Sequence, residues 1–387
     1  MNIKEMDAAY VANTYKRFPV QIVSGQGSIV KDDQGKEYID LGSGIAVTSF
    51  GVGDEQWKRA VMDQINQVQH MSNLYYTEPC AKLAEILCKK TGMKKVFFAN
   101  SGAEANEGAI KAARKYGAEK KGPGCYTIVT LKNSFHGRTI TTLAATGQEH
   151  YHELFQPLTP GFVHAEANNI QDVTETALRN NAAAVMIECV QGEGGVIPLE
   201  KSFVQELAAF CKENDILLVV DEVQTGNGRT GKLYAYMNYD IQPDIVSTAK
   251  GIGGGLPLGA VLFGEKTEYV LGYGEHASTF GGNPICCAGA VSILSRIDDA
   301  FLQEVQEKSK FIFSAFEGAE GVEAVSGMGL MIGIKTVKPA REVVNRCVEE
   351  GVLCLTAKDR VRLLPALNIP DELLEQAAKV LRSVCAK

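Results

Sequence analysis

The sequence predicts an α/β fold, with a doubly wound, mostly parallel sheet in a large domain and a smaller α+β domain built from both ends of the chain. Three observations point there. Short apolar runs such as 182–187 read as strands, and 216–220, which is unbroken and β-branched-rich, has the pattern of a strand buried on both faces. Between residues 91 and 263 such runs alternate with loops and amphipathic stretches, which is the rhythm of βα units. Residues 322–387 instead mix short strands with two helices, the mark of a second and smaller unit. At 387 residues the chain exceeds what one hydrophobic core usually spans. It divides into 1–50 as an arm and part of the small domain, 51–298 as the large domain and 299–387 as the rest of the small one.

The elements follow in order. Residues 15–20 are extended in character, and 28–30 and 38–41 read as short strands around the turn Asp33-Gln34-Gly35. Residues 42–53 are glycine-rich and loop-like. Residues 55–68 have helical periodicity, with Trp57, Ala60, Val61, Ile65 and Val68 on one face, which reads as core packing. The stretch from His70 to Tyr76 breaks that pattern, and its adjacent Tyr75 and Tyr76 suit either a pocket lining or a partly buried loop. Pro79 suits the first turn of a helix reaching about Lys90.

Residues 96–99 read as a buried strand, and Asn100-Ser101-Gly102-Ala103-Glu104-Ala105-Asn106 opens a helix that continues to Tyr116. Small residues at a helix start leave backbone N–H groups free for an anion. The simpler alternative is a plain N-cap at Ser101. The strand over 126–131 runs into Asn133-Ser134-Phe135-His136-Gly137-Arg138-Thr139. There an aromatic suits stacking on a flat ring, a guanidinium suits a carboxylate, and the lone histidine reads as structural. Residues 182–187 lead to Glu188 and then to Gln191-Gly192-Glu193-Gly194-Gly195, a carboxylate among glycines. Residues 202–211 form an amphipathic helix with Phe203, Leu207, Phe210 and Cys211 facing inward. Residues 260–263 add a strand. Ser278-Thr279-Phe280-Gly281-Gly282-Asn283-Pro284 turns into a helix over 285–297, with further helix to Phe316. Arg362-Leu363-Leu364-Pro365 falls on a strand near the C-terminus.

Composition excludes several classes. The charge of −7 with scattered Lys and Arg argues against a nucleic-acid footprint. No run approaches membrane-spanning length, and residues 1–10 lack a signal-peptide core. The ten cysteines include no Cys-x-x-Cys pair, so no metal is expected, and a reducing cytoplasm suits them.

The chemistry concentrates in 216–255. One buried strand runs into Asp221, and a second, around 244–246, leads to Lys250 and a glycine cluster. In open α/β sheets ligands bind at the strand carboxyl ends. A lysine that can form a Schiff base and a carboxylate that can keep a pyridinium nitrogen protonated are together signatures of a pyridoxal phosphate (PLP) site. Either residue alone reads as a surface lysine or a capping aspartate; their joint placement favours the pair. Gly226 to Lys232 fits the start of a phosphate-binding P-loop, but Leu233 stands where magnesium needs a hydroxyl. Ser247-x-x-Lys250 fits the nucleophile motif of penicillin-binding enzymes, yet Lys90-Thr91-Gly92 precedes the serine and no Ser-Asp-Asn occurs.

With these motifs in their order, the chain resembles the class III (ornithine-type) aminotransferases of PLP fold type I, and within them the acetylornithine branch. The resemblance covers about Tyr15 to the final helix. It implies that Lys250 is the Schiff-base lysine and proton shuttle, and that Asp221 pairs with the pyridine nitrogen. Phe135 and Val223 would flank the ring, Gln224 would bond its phenolic oxygen, and Ser101, Gly102 and Ala103 would cradle the phosphate. Thr279 would reach that phosphate from a second copy, which implies a homodimer with shared sites. Arg138 would bind the α-carboxylate, and Glu193 would cover Arg362 until 2-oxoglutarate or glutamate arrives. Tyr75 and Ser278 fall among the implied substrate-binding residues.

The implied reaction is transamination of N2-acetylornithine with 2-oxoglutarate. Siblings acting on ornithine, succinylornithine, acyl-lysine or 4-aminobutyrate are the near alternative. A PLP aminomutase is disfavoured by the Glu193 and Arg362 pair, and a non-catalytic module by intact Lys250 and Asp221. Three departures stand out: Gly51-Val52-Gly53-Asp54-Glu55 replaces a Gly-His-x-His-Pro stretch, Cys189 replaces a proline, and Arg362-Leu363-Leu364-Pro365 is less aromatic than usual.

Overall fold

The computed structural model describes residues 1–386 and is built around a seven-stranded sheet. Its order is Lys95–Ala99, Gly259–Phe263, Ile245–Thr248, Leu217–Asp221, Ala182–Ile187, Thr127–Leu131 and Phe162–Ala165. All neighbours pair in parallel except Gly259–Phe263, which runs antiparallel to both strands beside it. The expected doubly wound, mostly parallel sheet is therefore present. The reversed strand was not foreseen, because an apolar run carries no sign of its direction.

Strand alternation explains why the central strands read as unbroken apolar runs. Leu217 and Val219 pack into one cluster with Ala105, Ala109 and Ala113 of the helix Gly102–Lys121. Leu218 and Val220 face the other way, toward Phe203 and Leu207 of Lys201–Glu213. Both faces are covered, so every residue of Leu217–Asp221 and Ala182–Ile187 is buried. Gly102–Lys121 lies close on the sheet because its inner face is small. At Gly117 a Cβ would come within 2.3 Å of the Cys125 carbonyl oxygen.

A second sheet holds Val322–Met328, Met331–Thr336, Arg360–Leu363 and Leu355–Ala357, all antiparallel. A third joins Ile22–Gln26, Ile29–Asp32 and Glu37–Asp40 to Val352–Leu353, the last pairing in parallel. Ile39 and Leu41 share a core with Val344, Leu363 and Leu381, so the two ends of the chain pack together.

Several expectations need correction. The helix over 55–68 spans Glu55–Ile65, and none of its residues is fully buried. Trp57 anchors it, donating from Nε1 to the Gly253 carbonyl at 3.1 Å, while Ile65 and Val68 are exposed. The helix packs on Pro284–Leu294. Phe210 is half-buried rather than core. The helix Ile3–Tyr10, which has no buried residue, gave no sequence signal. The P-loop look-alike opens no α-helix. Its Arg229 is buried and donates to the carbonyls of Leu330 (2.9 Å) and Pro365 (2.6 Å), so the segment is a strut between sheets.

Glu222 closes the central strand from below. It is fully buried and accepts from Thr225 Oγ1 (2.5 Å) and from the Tyr236 N–H (2.8 Å). Burial, and the adjacent charge of Asp221, push its pKa from 4.5 up to about 7 against the pull of those bonds. The folded chain thus keeps a proton that the unfolded chain releases. Stability from this group is full below about pH 4.5, is lost as pH rises toward 7, and is flat above that. Glu222→Gln is predicted to flatten this stretch of the stability curve, by on the order of 1–3 kcal/mol across the window. Thermal unfolding between pH 4.5 and 8 measures it, and a slope equal to that of the parent chain contradicts the assignment.

Candidate active site

The carboxyl ends of the parallel strands open on a cavity of about 610 Å³. Lys250, Asp221, Phe135, Arg138, Gln224 and Val223 line it, together with Ser101, Gly102 and Ala103 at the start of Gly102–Lys121. The fold thereby gathers residues that are up to 149 positions apart in sequence around one space.

Asp221 ends its strand almost fully buried, so its charge needs partners. Oδ1 accepts from the Val223 N–H at 2.9 Å. Oδ2 accepts from Asn106 Nδ2 and from His136 Nδ1, each at 2.8 Å. Asn106 also donates to the His136 carbonyl at 2.7 Å, so it fixes the histidine and the aspartate together. Burial works against a charge on His136, but the hydrogen bond to Asp221 and that residue's charge outweigh it and raise its pKa. The structural reading of His136 thus gains a definite partner, the carboxylate of Asp221. Asn106 had no reading beyond the helix start. Its signal was available, since a buried Asn inside a helix is unfavourable unless its amide has work elsewhere.

Lys250 follows Ile245–Thr248 and adopts φ +49°. Burial depresses its amine below the usual lysine range; Glu193 and Asp221 oppose this, and the Arg362 guanidinium adds to it. Arg362 is buried, and its Nη1 donates to Glu193 Oε1 at 2.5 Å and to Gln224 Oε1 at 3.2 Å. Burial would raise the Glu193 pKa, but Arg362 above all, then Lys250 and Gln224, hold it below the usual range. Phe135 is set by its N–H, which donates to Glu188 Oε2 at 2.9 Å.

At the helix start, Ser101 Oγ accepts from the Glu104 N–H at 3.1 Å, so the plain N-cap reading is correct as far as it goes. The Gly102 and Ala103 N–H groups find no acceptor among the described residues. Gly102 also has to be glycine, since a Cβ there would lie 2.6 Å from Val223 Cγ1.

Five expected residues do not line the cavity: Glu193 and Arg362, which pair with each other next to the lining residue Gln224, and Ser278, Thr279 and Tyr75. Ser278 is half-buried beside it, its Oγ accepting from Asn100 Nδ2 at 3.1 Å. Thr279 and Tyr75 are exposed outside it. Asn73 Nδ2 donates to the carbonyls of Ser278 (3.0 Å) and Gly281 (2.8 Å), so the two stretches share one surface patch. Tyr15 and Glu188 do line the cavity, without having been singled out. At the departure near Asp54, the carboxylate caps Glu55–Ile65 and forks Arg296 at 2.8 and 2.9 Å.

The sequence profile described as Aminotransferase class-III matches residues 10–385. The chain is 48% identical to the acetylornithine aminotransferase of Haemophilus ducreyi over 387 residues, covering all of this chain and 98% of that protein. It superposes on the N-acetylornithine aminotransferase of Stenotrophomonas maltophilia with a TM-score of 0.85 at 34% identity, covering 99% and 98% of the two chains. The ornithine aminotransferase of Toxoplasma gondii, whose structure has PLP at partial occupancy in its active site, gives a TM-score of 0.94 at 29% identity over 99% and 93%.

The residues present fit PLP. Two free N–H groups at the start of a 20-residue helix suit a phosphate, a glycine leaves room there, a thrice-bonded carboxylate suits a protonated ring nitrogen, and a desolvated amine suits an aldehyde. Asn106→Ala removes one donor from Asp221. The loss of such a charge-assisted bond is worth about 1.5–3 kcal/mol, so PLP affinity is predicted to fall by roughly 10- to 150-fold. Equilibrium dialysis of the cofactor against the stripped protein measures this, and parental affinity contradicts it.

Proposed function

The chain belongs to the class-III aminotransferases, and from that premise we propose that it moves the terminal amino group of N2-acetylornithine to 2-oxoglutarate, giving N-acetylglutamate 5-semialdehyde and glutamate. Its cofactor is PLP, which when bound supplies an electron sink for the carbon that loses its proton. Asp221, backed by Asn106 and His136, holds the proton on the ring nitrogen. Lys250 takes the proton from the amine-bearing carbon and returns it. Its depressed pKa keeps more of the amine in the neutral, proton-accepting form near neutral pH. Ser101, Gly102 and Ala103 would seat the phosphate, Phe135 and Val223 would flank the ring, and Gln224 would bond its phenolic oxygen. Arg138 takes the α-carboxylate.

One observation carries the reading: the closed pair of Glu193 and Arg362, at 2.5 Å and bridged by Gln224, beside the lysine. A ping-pong transaminase must admit a donor whose reacting end is neutral apart from its amine, and then a dicarboxylate. A guanidinium covered by a movable acid meets both demands. An aminomutase has no use for it. The choice of acetylornithine over sibling amines rests on the relatives described above.

A second copy completes the site in this reading. Thr279 of that copy reaches the phosphate, and Tyr75 and Ser278 lie at the shared entrance. The apolar strip of Met71, Leu74, Tyr75, Tyr76 and Phe280, all exposed in the single chain, supports such an interface. The ten unpaired cysteines suit a reducing cytoplasm.

Two measurements test the proposal. Purified holoenzyme with 2-oxoglutarate and a panel of amines is expected to give its highest kcat/KM with N2-acetylornithine; a higher value with ornithine, succinylornithine or 4-aminobutyrate overturns it. Glu193→Ala leaves Arg362 permanently open. The kcat/KM of the amine-donor half-reaction is expected to fall at least about tenfold relative to that of the glutamate half-reaction, since an unpaired buried guanidinium favours a carboxylate ligand. An unchanged ratio rejects the gate.

A further inference from the structure

Arg138 stands at the cavity wall without a carboxylate partner among the described residues. Its guanidinium lies instead over the ring of Tyr151, 4.4 Å from the centroid, and 5.4 Å from the centroid of Phe135. The two rings meet edge to face, 5.9 Å apart at 75°. Tyr151 closes the short turn Glu149–Tyr151, where its N–H donates to the Gln148 carbonyl at 3.1 Å and the His150 ring lies 3.9 Å from its own. The ring is therefore held from several sides, and Arg138 rests on it.

We propose that Tyr151 is a positioning residue for the carboxylate site, its ring face fixing Arg138 in a charged and unneutralised state. This rests on the reading of Arg138 as the α-carboxylate partner. The physical distinction is between two ways of holding a guanidinium. An acid occupies the fork of N–H donors and neutralises the charge, as Glu193 does to Arg362. A π face attracts the cation through its quadrupole and takes none of the in-plane donors. Arg138 also sits at an exposed position, where a free arginine would lose side-chain entropy on binding; stacking removes part of that loss in advance. The two arginines thus play unlike parts. The site at Arg138 is open to every carboxylate ligand in both half-reactions, and the site at Arg362 is open to one class only.

The test is a series at position 151 in the holoenzyme. The probe is pentanoate, a monocarboxylate without an amine, titrated by calorimetry. The expected order of affinity is Trp at least equal to Tyr, Phe equal to Tyr, and Leu weaker by about 3- to 30-fold, following the strength of a cation over each face. The KM for both the amino donor and 2-oxoglutarate is expected to rise with Tyr151→Leu while kcat holds. Tyr151→Phe and Tyr151→Trp keep a ring in the same space, so the order among the aromatic variants decides the matter even where Tyr151→Leu fails to fold. A Phe variant that loses affinity outright overturns the inference, because the hydroxyl would then matter and the face would not. A folded Leu variant with parental affinity overturns it as well. Arg138→Met separates the two claims. If it abolishes pentanoate binding while position 151 has no influence, only the role of Tyr151 fails; if it leaves binding intact, the carboxylate role of Arg138 fails with it.

Discussion

A carboxylate that is almost fully buried at the end of a central strand has to be surrounded by donors, and much of the site follows from that. Asp221 is reached by three of them: a backbone N–H two residues on, an amide from the first turns of Gly102–Lys121, and an imidazole from the loop after Thr127–Leu131. Each donor comes from a different part of the chain. Satisfying one charge therefore fixes the start of a helix and the loop bearing Phe135 and Arg138 relative to the strand that ends in Asp221. Burying a carboxylate without donors is costly, and three hydrogen bonds offset that cost.

The positive side of the cavity is graded in a complementary way. Lys250 loses basicity by burial, Arg362 is matched by an acid, and Arg138 is left uncovered on aromatic rings. In the proposed reaction these are three distinct tasks: moving a proton, switching between ligand classes, and holding a carboxylate throughout. Three cations in and beside one cavity would repel one another if all were equally exposed and charged. Burial of one and pairing of another relieve that repulsion.

How much of this was legible in the sequence depends on the range of the interaction. The strands 182–187 and 216–221 were legible because burial on both faces leaves an unbroken apolar run, and the cap at Ser101 because capping is local. The direction of Gly259–Phe263 was not, since pairing partners lie far off in sequence. The exposure of Ile65 and Val68 was missed because periodicity shows that a helix has an apolar face without showing what covers it. Of the expected site, the motif residues Lys250, Asp221, Phe135 and Arg138 line one cavity, whereas Ser278 and Thr279, also inside a motif, lie outside it. His136 lies in the Phe135–Thr139 motif but bonds a residue at the end of another strand, and Tyr151 lies outside any motif. Their roles depend on contacts spanning 85 and 13 residues, which no local pattern encodes.

The loop-like reading of 42–53 hid the last constraint. Ser43, Gly44, Ile45 and Ala46 all have positive φ, a left-handed turn that costs non-glycine residues about 1–2 kcal/mol each. Such a turn persists only where its surroundings over-determine it, and here they do. Asp40 Oδ1 accepts from the Gly42 and Ser43 N–H groups at 2.8 and 2.9 Å, and Ser43 Oγ donates to the Leu364 carbonyl. The Leu367 N–H donates to the Ser49 carbonyl at 2.8 Å, and Ser49 Oγ to the Gly251 carbonyl at 3.2 Å. At Gly251 a side chain would meet Ser49 Oγ at 2.7 Å. One strained segment thus ties the lysine turn, itself at positive φ, to the residues just beyond Arg362. The turn that carries the lysine and the segment beyond Arg362 are thereby both bonded to the 43–49 backbone. The strain of the turn is therefore held by contacts to the segments that carry Lys250 and follow Arg362.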